Sequence, residues 1–226
     1  MSRNDVPITN SPEVFQKLLG FIESDTFACI GAKTASYLET VVHRDCCGDN
    51  KVTLEDAYGF LSKFAGIRET LSKTNATFVL TFSDRTFFSE AEFEVFTWET
   101  LNKLHELDTQ AGHSWSNDCS SDPSSPDFGF SIIGEPFFIV GLHPNSSRLS
   151  RQAPFPALVF NSHLQFRHLK SVGIFQKMQK EIRQRDLKIQ GSVNPNLSDF
   201  GEQSEARQYA GNATHQEWSC PFSKKI

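Results

Sequence analysis

The chain has 226 residues, with 22 Lys and Arg against 27 Asp and Glu and a formal net charge of -5. This acidic balance disfavours nucleic acid as a partner, because phosphate binding requires clustered basic side chains, and it disfavours a membrane surface for the same reason. A chain of this length buries about 70% of the surface that its unfolded form exposes, so it can fold without disulfides or a structural metal.

The sequence also bears on the compartment. No stretch approaches the roughly 20 apolar residues of a membrane span, and residues 1–12 lack the apolar core of a secretory signal. The cysteines show no paired metal-ligand spacing, which suits a reducing compartment better than a disulfide framework. They are Cys29, Cys46, Cys47, Cys119 and Cys220. We therefore expect a cytoplasmic protein.

Helices are predicted for most of the first half of the chain. Ser11 can cap a helix in which Val14, Leu18 and Ile22 recur every four residues. In chain order the predicted elements are a helix over 12–23, a helix over 31–38, a turn over 46–50, a helix capped by Thr53 that carries Leu71, a strand over 76–82 and a long helix that begins at Ser89.

Strands are concentrated in the second half. A Ser-, Asp- and Pro-rich loop over 112–127 precedes them. The predicted elements are strands over 128–133, 137–142 and 157–160, followed by one amphipathic helix over 162–185 and a polar tail from Gln190. Helices followed by clustered strands favour an α+β fold, an antiparallel sheet with helices packed around it. We expect residues 1–11 to be a flexible amino terminus and residues 12–226 to form a single domain.

Two histidines each follow a predicted strand. His143 and His163 can ligate a metal or transfer a proton, and they can face one pocket if their strands are neighbours. Arg148 and Arg151 follow His143 and can bind carboxylates or phosphates. The alternative is that the histidines satisfy local backbone groups and that the arginines are solvated.

The polar segment over 190–209 carries a further set of candidates, which includes Asn194. Glu202 and Glu205 are three residues apart and can hold a guanidinium or amine, while Arg207 can hold a carboxylate. The alternative is a solvated turn. Phosphate-loop, nucleophile-elbow and zinc motifs do not occur in the sequence. Cys220 is a possible thiolate ligand for haem, although a structural cysteine is the more frequent case.

Several segments together resemble, in the same order, those of the YqcI/YcgG family. They are Phe27-Ala28-Cys29-Ile30-Gly31-Ala32-Lys33, Gly141-Leu142-His143-Pro144 with Ser146-Ser147-Arg148, Phe160-Asn161-Ser162-His163-Leu164-Gln165-Phe166, the run from Gln190 to Tyr209, and Trp218-Ser219-Cys220-Pro221-Phe222. Characterised members of that family are haem-dependent N-oxygenases, which hydroxylate a guanidino nitrogen of arginine or an arginine-like compound in natural-product biosynthesis. The resemblance therefore implies haem b as the cofactor.

The resemblance also implies roles for the candidate residues. The axial iron ligand would be His163 or His143, and we favour His163 because a helix start fixes the ring more firmly than a loop. The other histidine would lie near the distal side or behind the residues that contact the haem. Arg148 and Arg151 would bind the haem propionates, and Phe160 would belong to the apolar wall together with Phe155 and Phe166. Glu202, Glu205, Arg207 and Asn194 would bind the substrate.

The implied reaction inserts one oxygen atom of O2 into an N–H bond, while two electrons from an external reductase or ferredoxin reduce the other oxygen to water. An amino nitrogen is a possible target as well, and an oligomer is possible. One alternative is a haem-binding sensor or electron carrier, in which His143 and His163 both bind the iron. A third possibility is a haem-free hydrolase with Asp199 or Glu202 as an additional metal ligand.

Overall fold

A computed structural model describes residues 8–46, 52–67, 75–196 and 202–222. In this part of the chain the helices are α1 (Pro12–Glu23), α2 (Ile30–Tyr37), α3 (Leu54–Gly66), α4 (Glu90–Gln110), α5 (His163–Ser171), α6 (Phe175–Gln190) and α7 (Ala206–Tyr209), with a 3-10 turn at Leu149–Arg151. The strands are β1 (Val41–Asp45), β2 (Thr77–Thr81), β3 (Phe130–Ile132), β4 (Glu135–Leu142) and β5 (Ala157–Ser162). None of these helices combines the length and the apolar character that crossing a membrane requires.

The strands form one sheet in the order β1-β2-β5-β4-β3. Three neighbouring pairs are antiparallel, whereas β1 and β2 are parallel, with Val41 opposite Thr77. The predicted α+β class is confirmed, but the sheet is mixed rather than purely antiparallel. Strand β1 was not predicted, because three of its five residues, His43, Arg44 and Asp45, are polar and yet buried.

Local capping signals located several helices well. Helix α1 has the predicted bounds, and the predicted cap Thr53 accepts a hydrogen bond from the Asp56 N–H at the start of α3. Ser89 likewise accepts from the Glu92 N–H at the start of α4. Leu71 and most of the predicted 46–50 turn lie outside the described residues.

The predicted helix over 162–185 is wrong, because the chain forms two helices there. Gly173 adopts the left-handed conformation, with φ of 71°, and its N–H bonds to the carbonyl of Lys170. Glycine takes this conformation at little cost, so α5 ends here and α6 begins at Phe175. The two helices form a hairpin, which we call the α5–α6 hairpin.

The two faces of the sheet bury different cores. On one face Phe160 contacts Phe78 and Phe137, with ring centroids 6.0 and 6.1 Å apart, and α3 and α4 cover this core. Alternate residues such as Val79 point to the other face, where α1 and α2 pack. Phe160 therefore belongs to the core on the α3–α4 side of the sheet.

His43 on β1 lies at the centre of a buried polar network. Its Nδ1 contacts the Thr9 hydroxyl at 2.7 Å and its Nε2 contacts the Thr81 hydroxyl at 2.8 Å, while Phe15 stacks on the ring. Burial lowers the pKa of His43 to about 4. The imidazole is thus held neutral in the folded protein at neutral pH.

This network predicts a loss of stability in acid. The pKa of His43 is about 4 when folded, below the usual 6.5, so the unfolded chain takes up the proton first. The free energy of unfolding should fall by roughly 3 kcal/mol as the pH drops from about 6.5 to about 4. Urea unfolding across this range, for the wild type and for His43→Gln, measures the effect. Equal slopes of stability against pH in the two proteins would contradict the assignment.

Candidate functional site

A cavity of about 280 Å³ lies between the α5–α6 hairpin and the sheet. Most of its lining is apolar and includes Phe138 and Val140 from β4, Phe166 and Leu169 from α5, and Phe175 and Met178 from α6. Polar groups make up less of the lining surface and come from residues such as Cys29, Asn161, Gln165, Arg183, Glu205 and Gln208. An apolar cavity with a few convergent polar groups is typical of a small-molecule site.

Glu205 is the acidic residue among the described residues that line this cavity. It lies just before α7 and is 6% exposed. Its Oε1 accepts a hydrogen bond from His163 Nε2 at 3.1 Å and another from the Tyr209 hydroxyl at 2.5 Å. Burial, together with the charge of Glu205, raises the pKa of Tyr209 well above its usual value, so the hydroxyl stays protonated and donates. Glu205 Oε2 makes no hydrogen bond to a described residue.

His163 reaches Glu205 because of local backbone features. It is the first residue of α5, directly after β5, and the Ser162 side chain caps this helix by accepting from the Leu164 N–H. Gly129 packs against the imidazole, and a Cβ added there would lie 2.8 Å from His163 Cε1. A larger residue than glycine at 129 would therefore displace the ring. His163 is buried behind Glu205 and is not among the cavity-lining residues.

His143 lies at the opposite end of the β4–β5 pair. The strands are antiparallel, with Leu142 opposite Ala157 and Phe137 opposite Ser162. The residue after β4 and the residue after β5 are thus separated by about seven residues of strand, or about 23 Å. The two strands are neighbours, but the expectation that the two histidines face one pocket is wrong. Each histidine follows the carboxyl end of its strand, and the carboxyl ends of neighbouring strands meet only when the strands are parallel.

The surroundings of His143 differ from those of a metal ligand facing a pocket. Its side chain is 1% exposed and stacks on Phe93 with centroids 4.4 Å apart, and neither ring nitrogen bonds to a described residue. Burial lowers its pKa. An iron shared by both histidines, or a hydrolytic metal held by both, does not fit this arrangement. Asp199, the other proposed hydrolase ligand, lies outside the described residues.

The two predicted propionate ligands are engaged with protein groups away from the cavity. Arg148 pairs with Asp186 of α6 and donates to the Ser192 carbonyl at 2.7 Å. Arg151 donates to the carbonyls of Gly141, at 3.1 Å, and Gln208, at 3.0 Å, and burial lowers its pKa to about 10. Haem propionates would have to replace these bonds.

The remaining predicted substrate residues also lie outside the cavity lining. Glu202 is exposed, and Asn194 accepts a hydrogen bond from the Asn196 N–H at 3.0 Å. Arg207 donates to the carbonyls of His215 and Trp218, at 3.0 and 3.2 Å, and so organises the carboxy-terminal segment. Of the predicted substrate residues, Glu205 is the one that lines the cavity.

Sequence reasoning missed several cavity residues that lie inside the segments already quoted. Asn161 Oδ1 accepts from the Thr77 hydroxyl at 3.1 Å, and Gln165 donates to the Ala76 carbonyl, so both amides are fixed by β2 and the segment before it. Cys29 enters the cavity from the start of α2. The side-chain amides of Asn161 and Gln165, two residues before and two residues after His163, were the signal in the sequence that could have identified these cavity residues.

The sequence profile of the YqcI/YcgG family matches residues 16–223. Two proteins of Bacillus subtilis (strain 168) are similar over most of their length. "Uncharacterized protein YcgG" is 28% identical over 212 residues, which cover 89% of this chain and 82% of that protein. "Uncharacterized protein YqcI" is 26% identical over 213 residues, with the same shares of 89% and 82%. No solved structure matches. The family match spans nearly the whole of the described fold, and the chain therefore belongs to the YqcI/YcgG family.

Proposed function

We propose that this chain is a cytoplasmic haem-dependent N-oxygenase that hydroxylates a guanidino or amino nitrogen of an arginine-like metabolite. The observation that carries this proposal is the buried Glu205 in the lining of an otherwise largely apolar cavity. The resemblance to haem-dependent N-oxygenases supplies the reaction class. The cavity supports a small molecule, rather than a macromolecule, as the substrate.

Glu205 favours a cationic substrate. A carboxylate in an apolar cavity is stabilised by an opposite charge and by hydrogen-bond donors, and a guanidinium provides both. Tyr209 and His163 already bond to Oε1, which fixes the orientation of the carboxylate. Oε2 remains as the acceptor for substrate N–H groups. The side chain of Gln208, which also lines the cavity, can add a neutral hydrogen bond.

The cavity lining would offer haem apolar contacts and a cation, although none of the predicted iron and propionate ligands lines it. The apolar side chains of the hairpin and β4 would contact the macrocycle, and Arg183 is the cation among the described lining residues that could pair with a propionate. The sulfur of Cys29 is a soft donor in the same lining. When bound, haem would supply the activation of dioxygen and the transfer of one oxygen atom to nitrogen.

The chain's own residues would then bind and orient the substrate. Glu205 would hold the cationic group, and the apolar wall would exclude bulk water from the reacting nitrogen. The two electrons that balance the reaction would come from an external reductase or ferredoxin. The sensor or carrier alternative requires both histidines to bind one iron. It loses this support, because His143 and His163 lie at opposite ends of the β4–β5 pair.

Absorption spectroscopy and product analysis test the proposal. Protein produced with ample haem supply should show a haem band that responds to carbon monoxide. Incubation with arginine or a related guanidino compound, a reductant and isotopically labelled dioxygen should give a product with one labelled oxygen on nitrogen. Haem binding without any turnover across guanidino and amino compounds would favour the sensor, and the absence of a haem band would overturn the proposal.

A further inference from the structure

The α5–α6 hairpin, residues 163–190, carries a charge opposite to that of the rest of the chain. It holds seven Lys and Arg against two Asp and Glu, which leaves 15 against 25 in the other residues. The hairpin thus has a formal charge of +5, whereas the remainder of the chain has -10. A charge asymmetry of this size indicates an interaction surface for an anionic partner.

The positive charge lies on the outer side of α6. Lys177, Lys180 and Lys188 are exposed, and their spacing of three and eight residues places them on one side of the helix. Ile182 belongs to the opposite side, which lines the cavity. Helix α6 therefore separates these lysines from the candidate site by its own thickness, which is about 10 Å.

The two acids of the hairpin do not cancel this charge. Asp186 is buried and pairs with Arg148, which lies outside the hairpin. Glu181 is exposed and offsets one lysine. Arg167 of α5 pairs with Asp118, 3.1 Å away. The lysines of α6 therefore supply most of the exposed net charge of the hairpin.

A groove of about 240 Å³ beside these lysines adds apolar surface. Leu187 and Val193, which are 47% and 42% exposed, line it together with Lys180, Arg183 and glutamine side chains. An apolar centre with a polar rim is typical of protein–protein interfaces. Arg183 also lines the cavity, so the groove and the candidate site share a wall.

These features favour a compact acidic protein over other polyanions. Helix α6 has 16 residues and is about 24 Å long, so the basic surface is small. A nucleic acid or an anionic membrane would extend over neighbouring parts of a chain whose other residues carry a net charge of -10, and like charges repel. A small protein can confine its contacts to the hairpin.

We propose that the outer side of α6 is the docking surface for a small acidic electron-transfer protein of the 2Fe–2S ferredoxin type. This inference rests on the proposed function, which needs two electrons from outside the chain. Each reduced 2Fe–2S protein gives up one electron. Two of them, with two protons, balance the insertion of one oxygen atom of O2 into an N–H bond and the reduction of the other to water. Docking on α6 places the donor one helix away from the candidate site.

Titration calorimetry with an acidic plant-type 2Fe–2S ferredoxin tests the surface without turnover. The wild type should bind the ferredoxin, and the Kd should rise with added salt, because salt screens the attraction between the charges. The variant Lys177→Glu/Lys180→Glu/Lys188→Glu should raise the Kd by about 10-fold or more, since it places like charges opposite one another. Circular dichroism confirms that the variant is folded.

The matched control is Lys17→Glu/Lys63→Glu/Lys103→Glu, which changes exposed lysines of α1, α3 and α4 and gives the chain the same net charge. Its Kd should stay within about threefold of the wild-type value, because these lysines lie outside the hairpin. Absence of binding by the wild type, an equal loss in both triple variants, or tighter binding to phosphatidylserine vesicles or duplex DNA would overturn the inference. Ferredoxin binding that depends on the α6 lysines, in protein without a haem band, would overturn the proposed function alone.

Cross-linking of the wild type gives a readout that does not depend on the folding of a variant. A carbodiimide joins lysines to carboxylates that contact them, and peptide mass analysis should find the ferredoxin joined to Lys177, Lys180 or Lys188. Cross-links confined to the three control lysines would contradict the inference. In haem-loaded protein, reduction by reduced ferredoxin should be slower in the α6 variant, while reduction by dithionite should be unchanged.

Discussion

Glu205→Gln should reduce kcat/KM for a guanidino substrate by about 30-fold or more, mainly through KM. The amide keeps the size of the side chain but removes the charge that pairs with the substrate cation. Loss of one partner from a buried, hydrogen-bonded charge pair costs about 2 to 5 kcal/mol, and about 2 kcal/mol corresponds to a factor of about 30. Steady-state kinetics over a range of substrate concentrations separates KM from kcat.

Glu202→Gln is the matched control for this variant. Glu202 lies three residues before Glu205 and carries the same group, but it is exposed and does not line the cavity. Its replacement should leave kcat/KM within about twofold, as for most exposed positions. Melting temperatures of both variants show whether Glu205→Gln also weakens the bonds to His163 and Tyr209. Equal kinetics for the two variants would remove Glu205 as the substrate anchor.

Breaking the Arg148–Asp186 pair should destabilise the protein by about 3 to 5 kcal/mol. Both side chains are buried, and Arg148→Met would leave the carboxylate of Asp186 with the Ser150 hydroxyl, at 3.0 Å, as its remaining hydrogen-bond donor among the described residues. A buried charge without its partner accounts for losses of this size. The double variant Arg148→Met/Asp186→Leu should recover much of the loss, since it leaves no charge buried alone. Urea unfolding measures all three proteins.

The exposed pair between Arg167 and Asp118 provides the comparison. Its atoms are 3.1 Å apart, but about half of each side chain is open to solvent. Arg167→Met should therefore cost less than about 1 kcal/mol. If Arg148→Met lowers the free energy of unfolding no more than Arg167→Met does, the Arg148–Asp186 pair does not stabilise the fold. Haem uptake by the double variant then shows whether Arg148 is also needed for the propionates.

Elements with local signals could be predicted from the sequence, and the arrangement of the site could not. Thr53 and Ser89 mark helix starts through hydrogen bonds to residues three positions away. The break at Gly173 is also local, but the apolar spacing continues across it, and a periodic pattern does not reveal a change of direction. Strand β1 could not be predicted, because its polar side chains are buried with hydrogen-bond partners that are distant in the sequence. His43, for example, bonds to Thr9 and Thr81.

The placement of the candidate residues depends on strand direction and on distant contacts. His143 and His163 look equivalent in the sequence, since each follows a strand, but the antiparallel register separates them. Arg148 looked available, but its partner Asp186 is 38 residues further along the chain. Glu205 was identified because its residue type suits a cation. Its difference from Glu202 comes from burial, which three residues of spacing do not encode.

The central claim is that the cavity under the α5–α6 hairpin, and not the His143 end of the sheet, binds the cofactor. Haem titration followed by absorbance tests this most directly, with Val140→Trp filling the cavity and His143→Leu changing the other end of β4. Circular dichroism confirms that both variants are folded. The wild type and His143→Leu should bind haem with the same spectrum, and Val140→Trp should fail to bind it. Full haem binding by folded Val140→Trp with an unchanged spectrum, or its loss in folded His143→Leu, would contradict the claim.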